Sequence, residues 1–281
     1  GGINAAGVQY AYGALAQAYE DSSPVLCVTG GQSANDWQTS RYDIQRGFET
    51  VTKWTGYINR PERVPEYVRR AYTYLRTGHP APVLLQFPTD MVNQEYDETA
   101  YPYNPVKGWK SAGDARDVEV AVRAILKAKN PLIYAGQGVF AADACSELKE
   151  LVKLLNVPIM STLLGKSNFP ENDPLYIGAR GIPVSHFLES ADLIFGIGTS
   201  LNKLRFSHTI PNPQQKVLIQ TAIDDFDINK NYDINHAILG DCKLVLQQVI
   251  AEVKKQAGSN GRPQNDKVLE TISSLKEDKA K

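Results

Sequence analysis

The segment RVPEYVRRAYTYLRTGHPAPVLLQF, residues 63–87, decides the fold class. Over residues 64–75, apolar side chains recur every three or four positions, which is the spacing of one helix face. Gly78 and Pro80 end the helix, and the apolar run over residues 82–87 is typical of a strand buried on both sides of a parallel sheet. A helix that leads directly into such a strand predicts an α/β fold.

The residues on the N-terminal side repeat this alternation. Apolar spacing over residues 8–19 predicts a helix, and residues 24–28 predict a short buried strand followed by two glycines. Residues 51–58 alternate well enough to form a further strand. We therefore expect one parallel-sheet domain over residues 1–100, followed by a linker in the Asn-, Tyr- and Pro-rich residues 101–116.

A second run of helices and strands follows this linker. Its predicted strands are residues 131–135, 157–161, 193–197, 217–223 and 236–239, and its predicted helices include residues 118–128, 143–155 and 245–254. Such alternation predicts a Rossmann-like, doubly wound central domain over residues 117–256. Both domains are expected to have three layers, with helices on each face of a parallel sheet. Residues 258–263 contain Gly and Pro, and residues 266–281 are charged and weakly helical, so residues 257–281 are predicted to be a linker toward a further domain.

The composition excludes several classes of protein. The chain has 281 residues, a formal net charge of -1 and a pI near 6.5, so it has no positive surplus to attract nucleic acid or an anionic membrane. No apolar run approaches the ~20 residues that span a bilayer. The three cysteines and four histidines lack the spacing of a disulfide framework or a metal site, as expected for free thiols in the cytoplasm. The expected partner is a small molecule.

Glycines fall where the predicted strands of the second domain end. Gly136 and Gly138 follow the first of these strands, and Gly198 follows the third. In open parallel sheets, ligands bind beyond the carboxyl ends of the strands, where bare backbone N–H groups meet phosphate oxygens. This arrangement suggests a nucleotide, although glycines that merely permit tight turns explain it equally well. Neither a GxGxxG motif with its acidic partner nor a P-loop is present.

For each of four polar residues, the sequence allows both a functional and a structural role. Asp224 follows a predicted strand, where a carboxylate can bind ribose hydroxyls or simply stabilise a turn. Arg180 lies between two glycines and can pair with a phosphate or remain solvated. Thr52 and Lys53 begin a predicted strand and can touch substrate, although a surface lysine is the default expectation.

Three stretches of the first domain resemble a known family. They are GVQYAYGALAQAYEDSSPVLCVTG at residues 7–30, VTKW at residues 51–54 and PERVPEYVRRAYTYLRTGHPAPVLLQFPTDM at residues 61–91. All three are similar, in this order, to the pyrimidine-binding domain of thiamine-diphosphate-dependent enzymes of the acetolactate synthase type. The stretches NPLIYAGQGV, ADLIFGIGTSLN and AIDDFD further along resemble the central domain of the same family.

The resemblance implies cofactor positions in both domains. On the pyrimidine side of thiamine diphosphate the matching positions are Gly7, Tyr10 and Gly30, with Tyr10 standing where the family has asparagine. Acetolactate synthases hold FAD in the central domain, where it is used structurally. The matching positions are Gly136, Gly138, Thr162, Lys166, Arg180, Gly198, Thr199, Ser200, Asp224 and Asp241.

The resemblance also implies an activity, that of a carboligase or lyase acting on 2-keto acids. The activating glutamate of the family would precede Gly1, and the diphosphate and Mg²⁺ site would follow Lys281, so no catalytic residue or metal ligand is expected in this chain. A homodimer or homotetramer is implied, because the family binds its cofactor between subunits. The alternative from the residues alone is a non-catalytic nucleotide-binding or assembly module.

Overall fold

The chain divides into two compact units, Gly1–Trp109 and Lys110–Lys281. The computed structural model describes residues 5–36, 42–203 and 207–277. Each unit is built on its own parallel sheet, with three strands in the first and six in the second among the described residues. The predicted α/β fold with two parallel-sheet domains is confirmed, and the division between the units falls within the predicted linker.

The first unit has strand order β1-β3-β2. Its elements are α1 (Tyr12–Glu20), β1 (Leu26–Gly31), α2 (Ile44–Phe48), β2 (Trp54–Tyr57), α3 (Val64–Arg76) and β3 (Val83–Pro88), with 3-10 turns at Ala5–Ala11, Ala34–Asp36, Glu49–Val51, Pro61–Arg63 and Thr89–Met91. The central strand, β3, contributes Leu84 to a core cluster with Leu15 and Phe48, and Leu85 to another with Ala71. The strand is apolar throughout because both of its faces are covered.

Two predicted elements of this unit are shorter than expected. The helix predicted over residues 8–19 begins as the 3-10 segment Ala5–Ala11 and becomes α-helical only at Tyr12. Ala11 at the N-cap makes no side-chain cap hydrogen bond, so nothing there fixes an earlier α-helical start. The strand predicted over residues 51–58 is confined to β2, because a 3-10 turn occupies its start.

Lys53 closes the end of α3. Its Nζ donates hydrogen bonds to the backbone oxygens of Tyr74, Thr77 and His79, at 3.0, 2.6 and 2.8 Å. The last carbonyl groups of a helix lack intrahelical partners, and a lysine ammonium supplies three donors to them. The contact to substrate considered for Lys53 is therefore replaced by a structural role. Thr52 is buried and donates to Phe48 O at 2.8 Å, which is also an internal contact.

The second unit has strand order β6-β5-β4-β7-β8-β9, all parallel. Its elements are α4 (Ala115–Lys127), β4 (Pro131–Ala135), α5 (Gly138–Ala141), α6 (Cys145–Leu155), β5 (Ile159–Ser161), β6 (Tyr176–Gly178), α7 (Ile182–Ser190), β7 (Leu193–Ile197), β8 (Val217–Ala222), β9 (His236–Leu239), α8 (Cys242–Ala257) and α9 (Asp266–Glu277), with a 3-10 turn at Pro213–Gln215. Counted from β4, this is the order 3-2-1-4-5-6 of the doubly wound fold. The Rossmann-like prediction is confirmed.

Helices cover both faces of this sheet. Along β4, Ile133 and Ala135 belong to the core cluster that α4, α6 and α8 share, whereas Leu132 and Tyr134 belong to the cluster on the opposite face. Alternate residues of one strand thus enter different cores, which explains the continuous apolar run. Within the described ranges, no helix combines the length and apolar character needed to cross a membrane.

The segment after Gln256, predicted as a linker, is packed against the second unit. Arg262 Nη1 donates to the carbonyl oxygens of Ile125 and Ala128 at 2.9 and 3.0 Å, and α9 buries Ile272 in the same core as α7. The weak helical pattern over residues 266–281 thus corresponds to α9, whose apolar positions are few and scattered among charges. Its continuation toward a further domain stays a prediction.

In the second unit, Lys216 donates hydrogen bonds to carbonyl groups at the end of a helix, as Lys53 does in the first unit. It is almost fully buried, and its Nζ donates to the backbone oxygens of Glu189 and Ala191 at 2.8 and 2.7 Å, where α7 ends. Burial lowers the pKa of Lys216, and the carboxylates of Glu189 and Asp192 oppose that shift. The ammonium joins the start of β8 to the end of the preceding helix.

We expect Lys216→Met to lower the free energy of unfolding by about 1.5–3 kcal/mol, because hydrogen bonds from a charged donor are lost and two carbonyl groups are left unpaired. Denaturant unfolding followed by circular dichroism measures this change. Lys254→Met is the matched control, since Lys254 makes an exposed ion pair with Glu150, and its effect should stay within about 0.5 kcal/mol. Equal effects of the two substitutions would contradict the capping role.

Candidate functional site at the carboxyl edge of the second sheet

The carboxyl ends of the six parallel strands form one edge of the second sheet, and the strand order reverses there between β4 and β7. In doubly wound folds, this switch point is where ligands bind. The predicted central-domain positions all follow strand ends at this edge: Gly136 and Gly138 after β4, Thr162 and Lys166 after β5, Arg180 after β6, Gly198, Thr199 and Ser200 after β7, Asp224 after β8, and Asp241 after β9.

At the switch point, the glycine loops contact each other directly. The N–H of Gly136 donates to Ile197 O at 2.8 Å, and the N–H of Gly138 donates to Gly198 O at 2.9 Å. A Cβ on Gly138 would lie 2.8 Å from Gly198 Cα, and Gly198 itself has φ +55°. Only glycine allows the two backbones to approach this closely.

These contacts limit what the glycine turn can bind. A phosphate at such a turn needs free N–H groups and a following helix, whereas both N–H groups are engaged and α5 has only four residues. Of the two roles left open by the sequence, the geometry at Gly136 and Gly138 supports the tight turn. The turn does not fit the pyrophosphate of a dinucleotide.

Two buried amides, which the sequence analysis missed, brace these loops. Asn168 Nδ2 donates to Gly136 O at 3.0 Å, and Gln220 Nε2 donates to Thr199 O at 3.0 Å and Asp227 O at 3.4 Å. Both side chains are at most 1% exposed. Their oxygens, Asn168 Oδ1 and Gln220 Oε1, have no hydrogen-bond partner among the described residues, so two buried acceptors lie at this edge.

Positive and hydroxyl side chains follow the strand ends at this edge. Lys166 is exposed and lies 3.9 Å from Glu171, while Arg180 follows β6 between two glycines of positive φ. Burial raises the pKa of the Tyr134 hydroxyl on β4, whereas a backbone hydrogen bond at His208 and the charge of Arg180 act in the opposite direction. Thr162 Oγ1 accepts from the N–H of Gly165 at 2.9 Å. The two cations suit an anionic ligand.

The two predicted carboxylates have local structural partners. Asp241 is buried, caps α8 by accepting from the N–H of Leu244 at 3.3 Å, and pairs with Lys110 Nζ at 3.0 Å. Asp224 Oδ1 accepts from the N–H of Phe226 at 3.2 Å, which forms a turn. Both oxygens of Asp241 are thus engaged, and a cap or turn accounts for each of these residues. Their ligand roles stay predictions.

Large apolar side chains are exposed along the same edge. They are Phe140 after β4, Leu163 and Leu164 after β5, Ile182 after β6, and Phe226 after β8. Burial of such side chains against a flat aromatic ligand would be favourable. The edge therefore combines apolar contact surface with cations, which is a suitable composition for a ligand that carries both rings and phosphates.

The first unit has its own polar edge, where Gly30 is buried inside β1. Asp90, just after β3, accepts from the N–H of Ala34 at 3.0 Å and from Asn35 Nδ2 at 3.3 Å. Burial raises the pKa of the Tyr57 hydroxyl, and the charge of Asp90 adds to the shift. These contacts fix the residues that follow β1.

Gly7 and Tyr10 lie in the 3-10 segment that precedes α1. Val8 anchors the segment in the core, whereas the side chain of Tyr10 is 92% exposed. Among residues 5–36, 42–203 and 207–277, no three His, Cys, Asp or Glu side chains are grouped so as to hold a metal ion.

The family described as thiamine pyrophosphate enzyme, central domain, matches residues 118–249. The chain is 32% identical to a probable acetolactate synthase large subunit of Methanococcus aeolicus, over 93% of this chain and 47% of that protein. A protein of the same description from Methanocaldococcus jannaschii is 33% identical, over 84% of this chain and 42% of its own length. The chain thus spans about half the length of the curated relatives it matches.

A solved structure shares the fold. The crystal structure of benzoylformate decarboxylase from Polynucleobacter necessarius aligns with a TM-score of 0.79, over 94% of this chain and 50% of that chain. Sequence identity over the alignment is 23%, so this likeness concerns the fold alone.

We expect Gly198→Ala to destabilise the second unit by about 2–4 kcal/mol, because a Cβ would lie 2.9 Å from backbone atoms of Gly138 at a residue with φ +55°. Gly13→Ala is the control. Gly13 lies within α1 at an ordinary helical φ with open space around the added Cβ, so alanine there should leave the stability unchanged or raise it by about 0.5–1 kcal/mol. Thermal unfolding measures the stability of both variants. A similar stability of the two variants would show that contact between the loops after β4 and β7 contributes little.

Proposed function

The chain belongs to the thiamine pyrophosphate enzymes of the acetolactate synthase type, and on that premise we propose that it is part of a carboligase or decarboxylase that acts on 2-keto acids. It contributes a central domain and part of a pyrimidine-binding domain. The observation that carries the proposal is the doubly wound unit with strand order 3-2-1-4-5-6, which contains the residues matched by the central-domain family.

The proposed cofactors are thiamine diphosphate and Mg²⁺. When bound, thiamine diphosphate supplies the carbanion and the electron sink for decarboxylation. We assign the pyrimidine side to the region of Gly7, Tyr10 and Gly30, where the exposed ring of Tyr10 offers an apolar face. The activating glutamate and the Mg²⁺ ligands are proposed to come from polypeptide outside residues 1–281.

The assembly proposed is a homodimer or homotetramer in the cytoplasm. A cofactor held between two domains from different subunits needs at least two copies of the chain. The free thiols of Cys27, Cys145 and Cys242 are compatible with a reducing compartment.

The activity is tested on the whole polypeptide that the gene encodes. We expect CO₂ release from pyruvate that requires both thiamine diphosphate and Mg²⁺, falls at least tenfold after treatment with a chelator, and returns when Mg²⁺ is added. A coupled assay for CO₂ and a chemical assay for acetolactate provide the readouts. A protein that binds nucleotide but never releases CO₂ would favour the non-catalytic module instead.

FAD is proposed at the carboxyl edge of the second sheet, on side chains and not on the glycine turn. Lys166, Arg180 and Ser200 supply charge and hydroxyl groups for the pyrophosphate. The exposed side chains of Leu164 and Phe226 supply apolar surface for the rings. This arrangement requires no N–H group of Gly136 or Gly138.

Arg180→Ala is expected to weaken FAD binding about tenfold, since one charge-assisted contact to phosphate contributes about 1.5–3 kcal/mol. Quenching of flavin fluorescence during titration with the protein measures the affinity. The control is Lys129→Ala, because Lys129 lies before β4 at the opposite edge of the sheet and should leave binding unchanged. If the protein does not quench flavin fluorescence, the proposed FAD site is wrong. That result would leave the proposed activity on 2-keto acids unaffected.

A further inference from the structure

Two cysteines begin neighbouring helices of the second unit. Cys145 is the first residue of α6, and Cys242 is the first residue of α8. Both helices start at the carboxyl edge of the sheet, after α5 and after β9, and they pack against each other. The two thiols therefore lie at the same end of one helix–helix contact.

Polar contacts hold these two helix starts together. Lys243 Nζ lies 2.8 Å from Asp143 O, 3.1 Å from the Asp143 carboxylate and 3.8 Å from the Glu147 carboxylate. Lys243 directly follows Cys242, whereas Asp143 and Glu147 stand two residues before and after Cys145. Gln247, one turn further along α8, donates to Glu147 Oε1 at 3.0 Å. These contacts hold the first turns of α8 against the residues on both sides of Cys145.

The two thiols are buried to different extents. Cys242 is buried in the core cluster between sheet and helices, and the half-buried Cys145 packs against that same cluster. Burial raises the pKa of Cys242 to about 12, and the negative charge of Asp241 adds to the shift. Burial also raises the pKa of Cys145, and the carboxylates of Asp143 and Glu147 add to that shift, so oxidation of this pair requires alkaline pH. Cys27 belongs to the first unit.

We infer that Cys145 and Cys242 form a redox pair that closes to an intramolecular disulfide. The oxidant is a low-molecular-weight disulfide. The more accessible Cys145 thiolate attacks it and releases one thiol. Cys242 then loses its proton and attacks Cys145 Sγ, which displaces the second thiol. The two protein thiols lose two electrons and two protons, and the oxidant is reduced to two thiols.

The bond would connect two loops of the carboxyl edge. One loop joins α5 to α6 and follows the glycine turn, and the other joins β9 to α8 and contains Asp241. Closing a loop of roughly 100 residues removes much conformational freedom from the unfolded chain. Oxidation therefore stabilises the unit and restricts the edge at which the ligand is proposed to bind.

The test is oxidation of the folded protein with oxidised glutathione at a pH of about 9.5, above the ordinary thiol pKa of about 8.5, because burial and two nearby carboxylates raise the pKa of Cys145. We expect the intact mass to fall by two hydrogen atoms and non-reducing peptide mapping to join Cys145 to Cys242. The melting temperature should rise by about 5 °C or more, and dithiothreitol should reverse both changes. Cys27→Ser should behave as the parent protein does.

Cys145→Ser should abolish the cross-link while preserving the fold, because Cys145 is only half-buried. Cys242→Ser should leave a stable mixed disulfide with glutathione at Cys145. The inference is overturned if the parent protein itself accumulates only mixed disulfides, if the linked peptides come from two different chains, or if both thiols stay open to alkylation after oxidation.

Discussion

Backbone contact between the loops after β4 and β7 is the constraint on which the second unit depends. The loop after β4 donates two N–H groups to carbonyl oxygens at the end of β7 and in the loop that follows it, where the strand order reverses, and a side chain on Gly138 or Gly198 would separate the two loops. Asn168 and Gln220 hold the outer sides of the same loops. The centre of the edge is consequently rigid, and its chemical groups are on the loops around it.

The two units stabilise the end of a helix in the same way. In each, a lysine next to the start of a strand donates to the carbonyl groups at the end of a helix that precedes a neighbouring strand. Lys53 serves α3 and Lys216 serves α7. A buried ammonium is expensive unless its donors are all used, and helix ends offer clustered acceptors without a second charge. This arrangement fixes where each helix stops relative to the sheet.

The fold was predictable from the sequence because its strands are buried on both faces. The continuous apolar runs at β3, β4 and β7, each after a helix-forming segment, predict parallel sheets without further information. The helix α9 was only weakly indicated, since Ile272 is buried by contact with α7 and not by a long apolar stripe. The spacing of apolar residues in a sequence predicts a helix only when the residues that pack against neighbouring elements form one apolar face.

The sequence predicted where the candidate positions lie in the fold but not their contacts. All ten central-domain positions follow strand ends at the carboxyl edge of the second sheet, and their ligand roles stay predictions. The sequence could not tell that the N–H groups of Gly136 and Gly138 donate to neighbouring carbonyls, because hydrogen bonds between loops depend on the sheet order. Gln220 is the one polar side chain with two hydrogen-bonding groups in the apolar run of β8, and that position is its only signal in the sequence. Asn168 lies in the polar stretch GKSNFPEN, where nothing distinguishes it from a solvated loop residue.

The strand order β1-β3-β2 leaves β1 with a neighbour on one side only among the described residues, and the side chain of Val28 is half exposed there. Unpaired strand edges are templates for pairing with other chains. In a recombinant preparation of this polypeptide, that edge is where intermolecular β-pairing and precipitation would begin. The first unit is therefore the part of the chain on which its solubility in such a preparation depends.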